Sequence, residues 1–515
     1  MRIYLIYRQT SICKRIALNK EGKMYLAELL YRQNENPKLA ILYGNNTMKY
    51  CEWHEQSLHL STRIKSIVPE LSVNIGIFLP NSIEYAVAYF SIIYSDKVVI
   101  PIGIQSKALE IASTLNYCEV DLLITSLHYK KYLFENIVDY EYKLQILFME
   151  DKSVEIINGE KNFQNKGSDK IQSNENDVAI MLHTSGTTEN PKRVMLTHNN
   201  LITNVESNIE SLKLTNEDIV LISMPMHFGY CNTAQFLTHT YLGASMVIFD
   251  GLFMPKEFFW TVQDKKITNF TCVPSMLLML LEYRYGGSYD ITSLRYICFG
   301  GGNMPMDKLK ELILKYPTVG FVQTYGQTEA SPRITALLPD ESLKKIGSVG
   351  LPIPGVKVKI VDGLGKELNA NEIGEIIIQG KNVMKGYYKQ EETTRKTIID
   401  GWLRSGDLGY IDNDGYLYLT GRIKNIIISG GINICPEEVE NVILKYPGIS
   451  EVCVEGEDHK ILGEIPIAKI ISKNEIDYKE LQKFCSERLS GYKVPKKFEN
   501  VKNLPKTYNG KIKRF

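Results

Sequence analysis

The sequence of residues 74–102, NIGIFLPNSIEYAVAYFSIIYSDKVVIPI, contains two apolar β-rich runs on either side of an apolar helical run. The first run, residues 74–79, ends at the Pro-Asn-Ser sequence of residues 80–82, which is typical of a turn and a helix N-cap. Residues 83–94 predict a helix and residues 98–102 predict a second strand. This order of elements indicates a parallel or mixed sheet that is covered by helices.

The same alternation continues along the chain. Further β-rich runs between helical ones lie at residues 39–43, 121–125, 177–183, 219–224, 245–249, 269–273 and 296–300. After about residue 340 the pattern changes to short strands and Gly-rich turns, at residues 356–361, 374–379 and 415–420, which indicates a small β subdomain. Two helical runs with strands between them follow, at residues 436–445 and 478–489, and predict a compact α+β tail.

A chain of 515 residues is long enough for more than one hydrophobic core. We predict an α/β fold with a large N-terminal domain, residues 1–421, of layered α/β subdomains plus the small β subdomain. A joint at residues 422–425 precedes a small α+β C-terminal domain, residues 426–515. The polar stretch at residues 160–175 predicts a surface loop.

The composition narrows the class of protein. A net charge of +1 argues against nucleic acid or an anionic membrane surface as a partner. No apolar run is long enough for stable membrane insertion. The nine cysteines form no CxxC pair, which argues against a zinc module or a disulfide scaffold and favours a cytoplasmic protein.

The stretch HTSGTTENPK, residues 183–192, follows the apolar run VAIML directly. Its hydroxyl side chains, its glycine and its lysine supply the donors and the positive charge that a polyphosphate requires: Thr184, Ser185, Gly186, Thr187, Thr188 and Lys192. The stretch is not a Walker A loop, because GxxxxGK[ST] is absent. The alternative interpretation is a Ser/Thr-rich surface turn.

This stretch resembles the phosphate-binding signature TSGTTGxPKG of the adenylate-forming superfamily of acyl-CoA synthetases, peptide-synthetase adenylation domains and luciferases. Glu189 and Arg193 stand where the family usually has glycine, which changes how closely the backbone can approach a phosphate. The resemblance spans roughly residues 24–515 and is closest to the acyl-CoA synthetases. It implies catalytic roles for Thr184 and Lys192 in a loop that binds ATP.

Further motifs in order strengthen the resemblance. QTYGQTE, residues 323–329, is similar to the family's YGxTE, which implies a nucleotide site at Thr324, Tyr325, Gly326 and Thr328. Tyr325 would stack on adenine, Thr328 would donate to the α-phosphate, and Glu329 would be a catalytic ligand of Mg²⁺. Alone, this motif could equally be a helix cap.

Two later motifs complete the nucleotide site. WLRSGD (residues 402–407) and GRIKN (residues 421–425) resemble family motifs in which Asp407 and Arg422 would bind the ribose and Lys424 would be the hinge. LPKTYNGKI, residues 504–512, is similar to LPxTxxGKI and implies that Lys511 is the catalytic lysine. Without the other motifs, turn residues and a basic solvated tail would be the simpler interpretation.

The resemblance also implies sites for the acid and the thiol. Residues 225–230 and the glycines after residue 299 would form the acyl pocket and the adenine edge, with His227, Phe228, Tyr230 and Gly300 in the former and Gly301 and Gly302 in the latter. The glycines could instead form a bulge or a tight turn. No Phe-Asp pair is present to hold an α-amine, which disfavours α-amino acids. IISGGINICPEEVE, residues 427–440, resembles the acyl-CoA synthetase version and leaves room for a phosphopantetheine arm at Ser429, Gly430 and Gly431.

We therefore predict an acid–thiol ligase that uses ATP and Mg²⁺ to convert a carboxylic acid into an acyl-adenylate with release of pyrophosphate. The acyl group would then pass to the phosphopantetheine thiol of CoA or of an acyl carrier protein. Rotation of a mobile C-terminal domain at Lys424 would withdraw Lys511 between the two steps. The alternatives are a ligase dedicated to a carrier protein and a catalytically weak nucleotide-binding paralogue, which Glu189 and Arg193 favour.

Overall fold

The computed structural model describes most of the chain, in ranges separated by short gaps. The described residues are 24–68, 73–137, 144–157, 174–183, 192–249, 251–302, 304–430, 432–460, 462–472, 474–506, 512 and 514. The predicted surface loop at residues 160–175 lies almost entirely outside these ranges.

The strands are short and lie close to the predicted positions. They are β1 (Leu39–Tyr43), β2 (Asn46–Lys49), β3 (Asn74–Phe78), β4 (Val98–Pro101), β5 (Val120–Thr125), β6 (Leu144–Phe148), β7 (Val154–Ile157), β8 (Val178–His183), β9 (Arg193–Thr197), β10 (Ile219–Ile222), β11 (Ser245–Ile248), β12 (Asn269–Cys272), β13 (Tyr296–Phe299), β14 (Gly320–Gly326), β15 (Arg333–Leu337), β16 (Ser348–Pro352), β17 (Val356–Val361), β18 (Gly374–Gly380), β19 (Gly386–Tyr387), β20 (Ile398–Ile399), β21 (Trp402–Ile411), β22 (Leu417–Arg422), β23 (Ile427–Ser429), β24 (Ile432–Ile434), β25 (Ile449–His459), β26 (Gly463–Ser472) and β27 (Lys497–Asn500).

The helices fill the intervals between these strands. The α-helices are Leu26–Tyr31, Tyr50–Ile67, Ile83–Tyr94, Ala108–Tyr117, Lys130–Asn136, His198–Leu212, Gly229–Cys231, Thr238–Leu242, Pro255–Lys265, Pro274–Glu282, Met306–Lys315, Glu391–Thr397, Pro436–Ile443 and Tyr478–Ser486. A π-helix spans Asn232–Leu237, and 3-10 turns span Leu127–Tyr129, Gly286–Ser288, Thr328–Ala330, Pro339–Glu341 and Ile423–Asn425. Across the described ranges, every helix is too short or too polar to cross a bilayer.

The stretch that predicted the fold forms the centre of an eight-stranded sheet within the described residues, in the order β19-β9-β8-β4-β3-β5-β6-β7. Strands β3 and β4 are parallel, as predicted, and every residue of β3 is buried. The helix Ile83–Tyr94 connects them and begins at Ser82, whose hydroxyl accepts a hydrogen bond from the Tyr85 amide at 3.1 Å. This helix is buried on nearly all sides, which explains its continuous apolar sequence.

A second sheet of fourteen strands, counted over the described residues, extends from β2 through the parallel core β1-β11-β10-β12-β13-β14 to antiparallel strands. Strand β16 pairs with β15 on one side and with β22 on the other. The predicted β subdomain is therefore hydrogen-bonded to the large sheet. The strand predicted at residues 415–420 begins at Leu417 because Asp412 and Gly415 form the preceding turn.

The C-terminal part has its own core. Strands β23 to β27 form a five-stranded sheet within the described residues, and the helices Pro436–Ile443 and Tyr478–Ser486 contribute to the same hydrophobic cluster. The 3-10 turn Ile423–Asn425 lies between β22 of the large sheet and β23 of this one. The predicted α/β fold, with a large N-terminal and a smaller C-terminal domain, is confirmed. The exact boundaries at residues 421 and 426 stay a prediction.

We expect Gly350→Ala to destabilise the junction between β15, β16 and β22. Gly350 has a φ of 92°, and an added Cβ would lie 2.0 Å from the Ala336 backbone carbon. The expected loss is above roughly 3 kcal/mol, because strain at positive φ is added to a clash with backbone. Urea denaturation followed by circular dichroism measures it.

Gly355→Ala is the matched control. Gly355 also has a positive φ, 77°, but an added Cβ there would meet open space. We expect a loss of about 1 kcal/mol from the backbone conformation alone. Equal losses for the two variants would contradict the close approach at Gly350.

Candidate active site

The site lies where the two large sheets meet. The strand β19 follows the antiparallel part of the fourteen-stranded sheet, yet it pairs with β9 of the eight-stranded sheet, with Tyr387 opposite Val194. Backbone hydrogen bonds from Lys385 to Met195 (3.0 Å) and from Tyr388 to Arg193 (2.9 Å) hold this segment in place. Tyr387 is thereby positioned beside the start of β9, next to Lys192.

Tyr387 links two of the predicted catalytic residues. Its hydroxyl donates a hydrogen bond of 2.9 Å to Oε1 of Glu329, and the Lys192 ammonium lies 4.6 Å from the centroid of its ring. Burial, and then the Glu329 carboxylate, raise the pKa of Tyr387, so the phenol keeps its proton and stays a donor. Sequence reasoning missed this residue. The Gly-Tyr-Tyr run at residues 386–388, after strand β18, is the sequence feature that could have pointed to it.

The predicted ribose and adenine residues also form one cluster. Asp407 and Arg422 are opposite each other on β21 and β22, and Nε of Arg422 lies 2.7 Å from Oδ1 of Asp407. The Tyr325 hydroxyl donates to the other oxygen, Oδ2, at 2.7 Å. Burial, and then Asp407, raise the pKa of Tyr325. The stacking role of the Tyr325 ring stays a prediction.

Positive charge converges near the predicted hinge. Burial lowers the pKa of Lys424, and the charges of Arg422, Arg514 and Lys192 lower it further, while Asp407 opposes them. These four cations come from the start of β9, the end of β22, the 3-10 turn after it and the C-terminal segment. Arg422 and Arg514 are paired with carboxylates, so Lys192 and Lys424 are the cations of this group best suited to a polyphosphate.

The predicted acyl pocket contacts the nucleotide motif. The hydroxyls of Tyr230 and Thr324 lie 2.7 Å apart, and Thr324 donates to the Phe299 carbonyl at 3.1 Å. Gly300 follows directly, and a Cβ there would lie 2.5 Å from the Thr324 carbonyl oxygen, so this position requires glycine. Gly301 is exposed and has a φ of 77°. The glycine run is therefore a close approach of backbone, as well as a candidate pocket edge.

His227 contributes a neutral ring to this region. Burial lowers the pKa of its imidazole to about 4, so the ring is uncharged at neutral pH. Its ring centroid lies 4.3 Å from that of Phe228. The ring also packs closely against Gly103, because a Cβ added there would lie 2.7 Å from Nε2 of His227. This part of the candidate pocket therefore presents aromatic surface without charge. Cys231 and Cys272 are buried and burial raises the pKa of each thiol, which is in keeping with apolar packing.

The C-terminal segment is tied to the hinge region through Arg514. Its guanidinium contacts Glu437 at 2.5 Å and both carboxylate oxygens of Glu440 at 2.6 Å. The Glu437 carboxylate also accepts a hydrogen bond of 2.7 Å from the Asn425 side chain, in the 3-10 turn. Arg514 therefore anchors the chain three residues after the predicted catalytic lysine. Sequence reasoning missed it.

Several predicted residues lie outside the described part of the chain: Thr184, Ser185, Gly186, Thr187, Thr188, Gly431 and Lys511. Their roles stay predictions. The flanking residues His183 and Arg193 pair across β8 and β9, and the buried Arg193 side chain donates to Thr114 at 2.6 Å. For the thiol site, Ser429 is buried at the end of β23, and the Gly430 amide donates to the Leu462 carbonyl at 2.7 Å.

The residues fit a magnesium ion that is shared with phosphates. Over the described ranges, no three His, Cys, Asp or Glu side chains come together to hold a metal. Magnesium in nucleotide sites is commonly held by one or two carboxylates, with phosphate oxygens and water completing the shell. Glu329, which the Tyr387 hydroxyl orients beside Lys192, supplies one such carboxylate.

Comparisons with known proteins agree with this geometry. The family profile described as AMP-binding enzyme matches residues 31–388, and that of the AMP-binding enzyme C-terminal domain matches residues 438–511. The 2-succinylbenzoate–CoA ligase of Bacillus licheniformis is 31% identical over 483 residues, which cover 93% of this chain and 96% of that protein. The feruloyl-CoA synthase of an Amycolatopsis species is 36% identical over 338 residues, which cover 65% of this chain and 68% of that protein.

The fold is shared with solved structures. The o-succinylbenzoate CoA synthetase of Bacillus subtilis in complex with its acyl-adenylate intermediate superimposes with a TM-score of 0.82 at 28% identity. The match covers 95% of this chain and 97% of that one. The same synthetase in complex with ATP and a magnesium ion gives a TM-score of 0.82, also at 28% identity, over 94% of this chain and 97% of that one.

We expect Tyr387→Phe to weaken magnesium-dependent ATP binding roughly 10-fold, as is typical when a hydrogen bond that orients a metal-binding carboxylate is lost. The phenylalanine keeps the ring beneath Lys192 and removes only the hydroxyl that donates to Glu329. Calorimetric titration with ATP at several magnesium concentrations measures it. Tyr388→Phe, which removes a hydroxyl bonded to the exposed Glu119, is the control and should have no such effect. A magnesium dependence that Tyr387→Phe leaves unaltered would contradict the link.

Proposed function

This chain belongs to the family of AMP-binding enzymes, and from that premise we propose that coenzyme A is the thiol to which it joins a carboxylic acid. It is an acid–thiol ligase that uses ATP and magnesium and proceeds through an acyl-adenylate. The 2-succinylbenzoate–CoA ligase and the feruloyl-CoA synthase to which this chain is similar use CoA, which supports CoA over a carrier protein as the acceptor.

The convergence of cations at the meeting point of the sheets carries the proposal for the site. A substrate carboxylate must approach an α-phosphorus that is surrounded by negative oxygens, and Coulomb repulsion opposes that approach. Lys192 and Lys424 supply positive charge near this position, whereas the charges of Arg422 and Arg514 are offset by the carboxylates paired with them. Fixed cations lower the barrier because they need no reorganisation when the charge shifts.

Each side chain has a distinct task in the proposal. Lys192 binds the phosphates, Glu329 holds the magnesium ion, and Tyr387 keeps both in position. Bound magnesium would draw negative charge toward the departing pyrophosphate. Lys511 bridges the attacking carboxylate and the α-phosphate. The Asp407 carboxylate accepts hydrogen bonds from the ribose hydroxyls, because each of its oxygens keeps a free lone pair beside Arg422 and Tyr325.

The thiol step uses the C-terminal domain, residues 426–515. We place the joint at residues 422–425, where the 3-10 turn Ile423–Asn425 separates the strands of the two parts. Rotation there would withdraw Lys511 and bring Ser429 and Gly430 toward the adenylate. Small side chains at these positions leave space for the pantetheine arm.

Pyrophosphate exchange with a panel of carboxylic acids tests the first half-reaction, and AMP release on addition of free CoA or of a phosphopantetheinylated carrier protein tests the second. We expect exchange with at least one acid and AMP release with CoA. Exchange followed by AMP release with the carrier protein alone would overturn the assignment of CoA. The absence of exchange with every acid would favour the nucleotide-binding paralogue.

We expect Lys511→Ala to lower adenylate formation by a factor on the order of 100 or more, because the charge between carboxylate and α-phosphate is lost. Thioester formation from preformed acyl-adenylate should be retained, since the joint would have moved Lys511 away before that step. Single-turnover assays of each half-reaction measure both effects. An equal loss of both half-reactions would contradict the rotation.

We expect Arg514→Gln to lower adenylate formation roughly 10-fold and to spare the thioester step, because the loss of the contacts with Glu437 and Glu440 frees the segment that carries Lys511. Arg488→Gln, which removes an exposed arginine of the same domain, is the control. The same two half-reaction assays apply. If Arg514→Gln and Arg488→Gln behaved alike, Arg514 would not position the segment.

A further inference from the structure

Arg333 is a buried cation that has no counter-ion among the described residues. It begins strand β15, its side chain is almost fully buried, and within the described part of the chain it takes part in no ion pair. An arginine stays charged in proteins, and burial of an uncompensated charge is costly. Its Nη1 donates a hydrogen bond to the neutral side-chain amide of Asn208, and the guanidinium also contacts the neutral thiol of Cys298. A buried charge in such a place is typical of a binding site.

The unused donors of Arg333 point to the kind of ligand. Nε and Nη2 are buried, and no residue within the described ranges accepts a hydrogen bond from either of them. These two nitrogens form one edge of the planar guanidinium, and their N–H groups run parallel along that edge. A carboxylate has two oxygens with matching spacing and accepts both bonds at once. The free edge of Arg333 therefore has the geometry of a carboxylate site.

Arg333 lies beside the candidate acyl pocket. On β14 its cross-strand neighbour is Gly326 of the nucleotide motif. Its charge also reaches Tyr230 and Cys298: burial raises the pKa of both groups, and Arg333 opposes the rise in each case. Tyr230 in turn contacts Thr324 at 2.7 Å. The guanidinium is thus next to the residues predicted to surround the acyl group.

The same arginine is separate from the phosphate-binding cations. Arg333 begins β15, whereas the cations around Lys424 come from the start of β9, the end of β22 and the C-terminal segment. Asn208, which holds the Arg333 guanidinium, donates to the Ala234 carbonyl of the π-helix at 3.2 Å. This places the Arg333 guanidinium near the π-helix Asn232–Leu237, which follows the predicted acyl-pocket residues 225–230. A carboxylate bound there is a different group from the one that attacks the α-phosphate.

Arg193 provides an internal comparison. It is equally buried and also has two unpartnered nitrogens, but these are Nε and Nη1, since Nη2 donates to Thr114. Nε and Nη1 lie on different edges of the guanidinium and cannot hold one carboxylate through parallel bonds. Of these two buried arginines, Arg333 therefore has the free guanidinium edge that suits a carboxylate, and Arg193 does not.

We propose that the acid activated by this enzyme is a dicarboxylic acid, whose second carboxylate pairs with the Nε–Nη2 edge of Arg333 while the first one is adenylated. This inference rests on the proposed function and specifies its substrate class. The site selects by charge: a monocarboxylic acid of the same shape leaves the buried guanidinium unpaired and loses a charge-assisted hydrogen-bond pair.

Two matched pairs of acids test the proposal in pyrophosphate exchange. They are 2-succinylbenzoate with benzoylpropionate, which lacks only the ring carboxylate, and adipate with hexanoate. We expect the dicarboxylic member of at least one pair to have a kcat/KM roughly 10- to 100-fold higher. Arg333→Met, which keeps much of the volume and removes the charge, should abolish that preference and retain exchange with the monocarboxylic member. Equal activity within both pairs, or a preference that survives in Arg333→Met, would overturn the inference.

Arg193→Met is the matched control and should change exchange with both members of a pair by the same factor. Thermal denaturation with and without each acid gives a readout that needs no catalysis: the dicarboxylic member should raise the melting temperature of the wild type and not that of Arg333→Met. If no acid supports exchange, the proposed function fails, whereas this melting shift still decides the Arg333 site. If only monocarboxylic acids are exchanged, the proposed function stands and the Arg333 inference fails.

Discussion

Repulsion between an acid anion and a polyphosphate is the constraint around which this structure is organised. No single segment supplies the neutralising charge. In the proposed function this charge comes from Lys192, beside the start of β9, and from Lys424, in the 3-10 turn after β22. The short strand β19 holds the two large sheets together, because Tyr387 pairs with β9 and contacts both Glu329 and Lys192. The junction of the sheets is thus part of the chemistry.

Buried charges in this chain fall into two groups with different consequences. The buried Asp407 is paired with Arg422, and the half-buried Arg514 is paired with Glu437 and Glu440, so the cost of their burial is offset within the protein. Arg333 is held by a neutral amide in the described structure, so its cost is not offset in the same way. A ligand whose carboxylate pairs with the Arg333 guanidinium gains binding free energy from that pair, and an analogue without the carboxylate does not. Selectivity for the acid can then arise at a distance from the reacting atoms.

The sequence predicted the parts of the fold that depend on local patterns. The helix at residues 83–94 and the strands around it occur where apolar periodicity and the Ser82 cap indicate them. Asp407 and Arg422 were both predicted as ribose-binding residues from two consecutive motifs, and the structure brings them into contact. Tyr387, Arg514 and Arg333 could not be predicted, because their roles depend on strand pairing and on contacts between distant segments. The register that sets Arg333 opposite Gly326 leaves no local signal.

The two partners of Asp407 also bear on how a nucleotide enters. Arg422 and Tyr325 hold one oxygen each, at 2.7 Å. The carboxylate is therefore preorganised, and little rotational entropy remains to be lost when a sugar docks. The remaining lone pairs have fixed directions, so a deoxyribose would leave one of them unmatched. In the proposed function, the sugar therefore meets a carboxylate whose orientation the fold has already set.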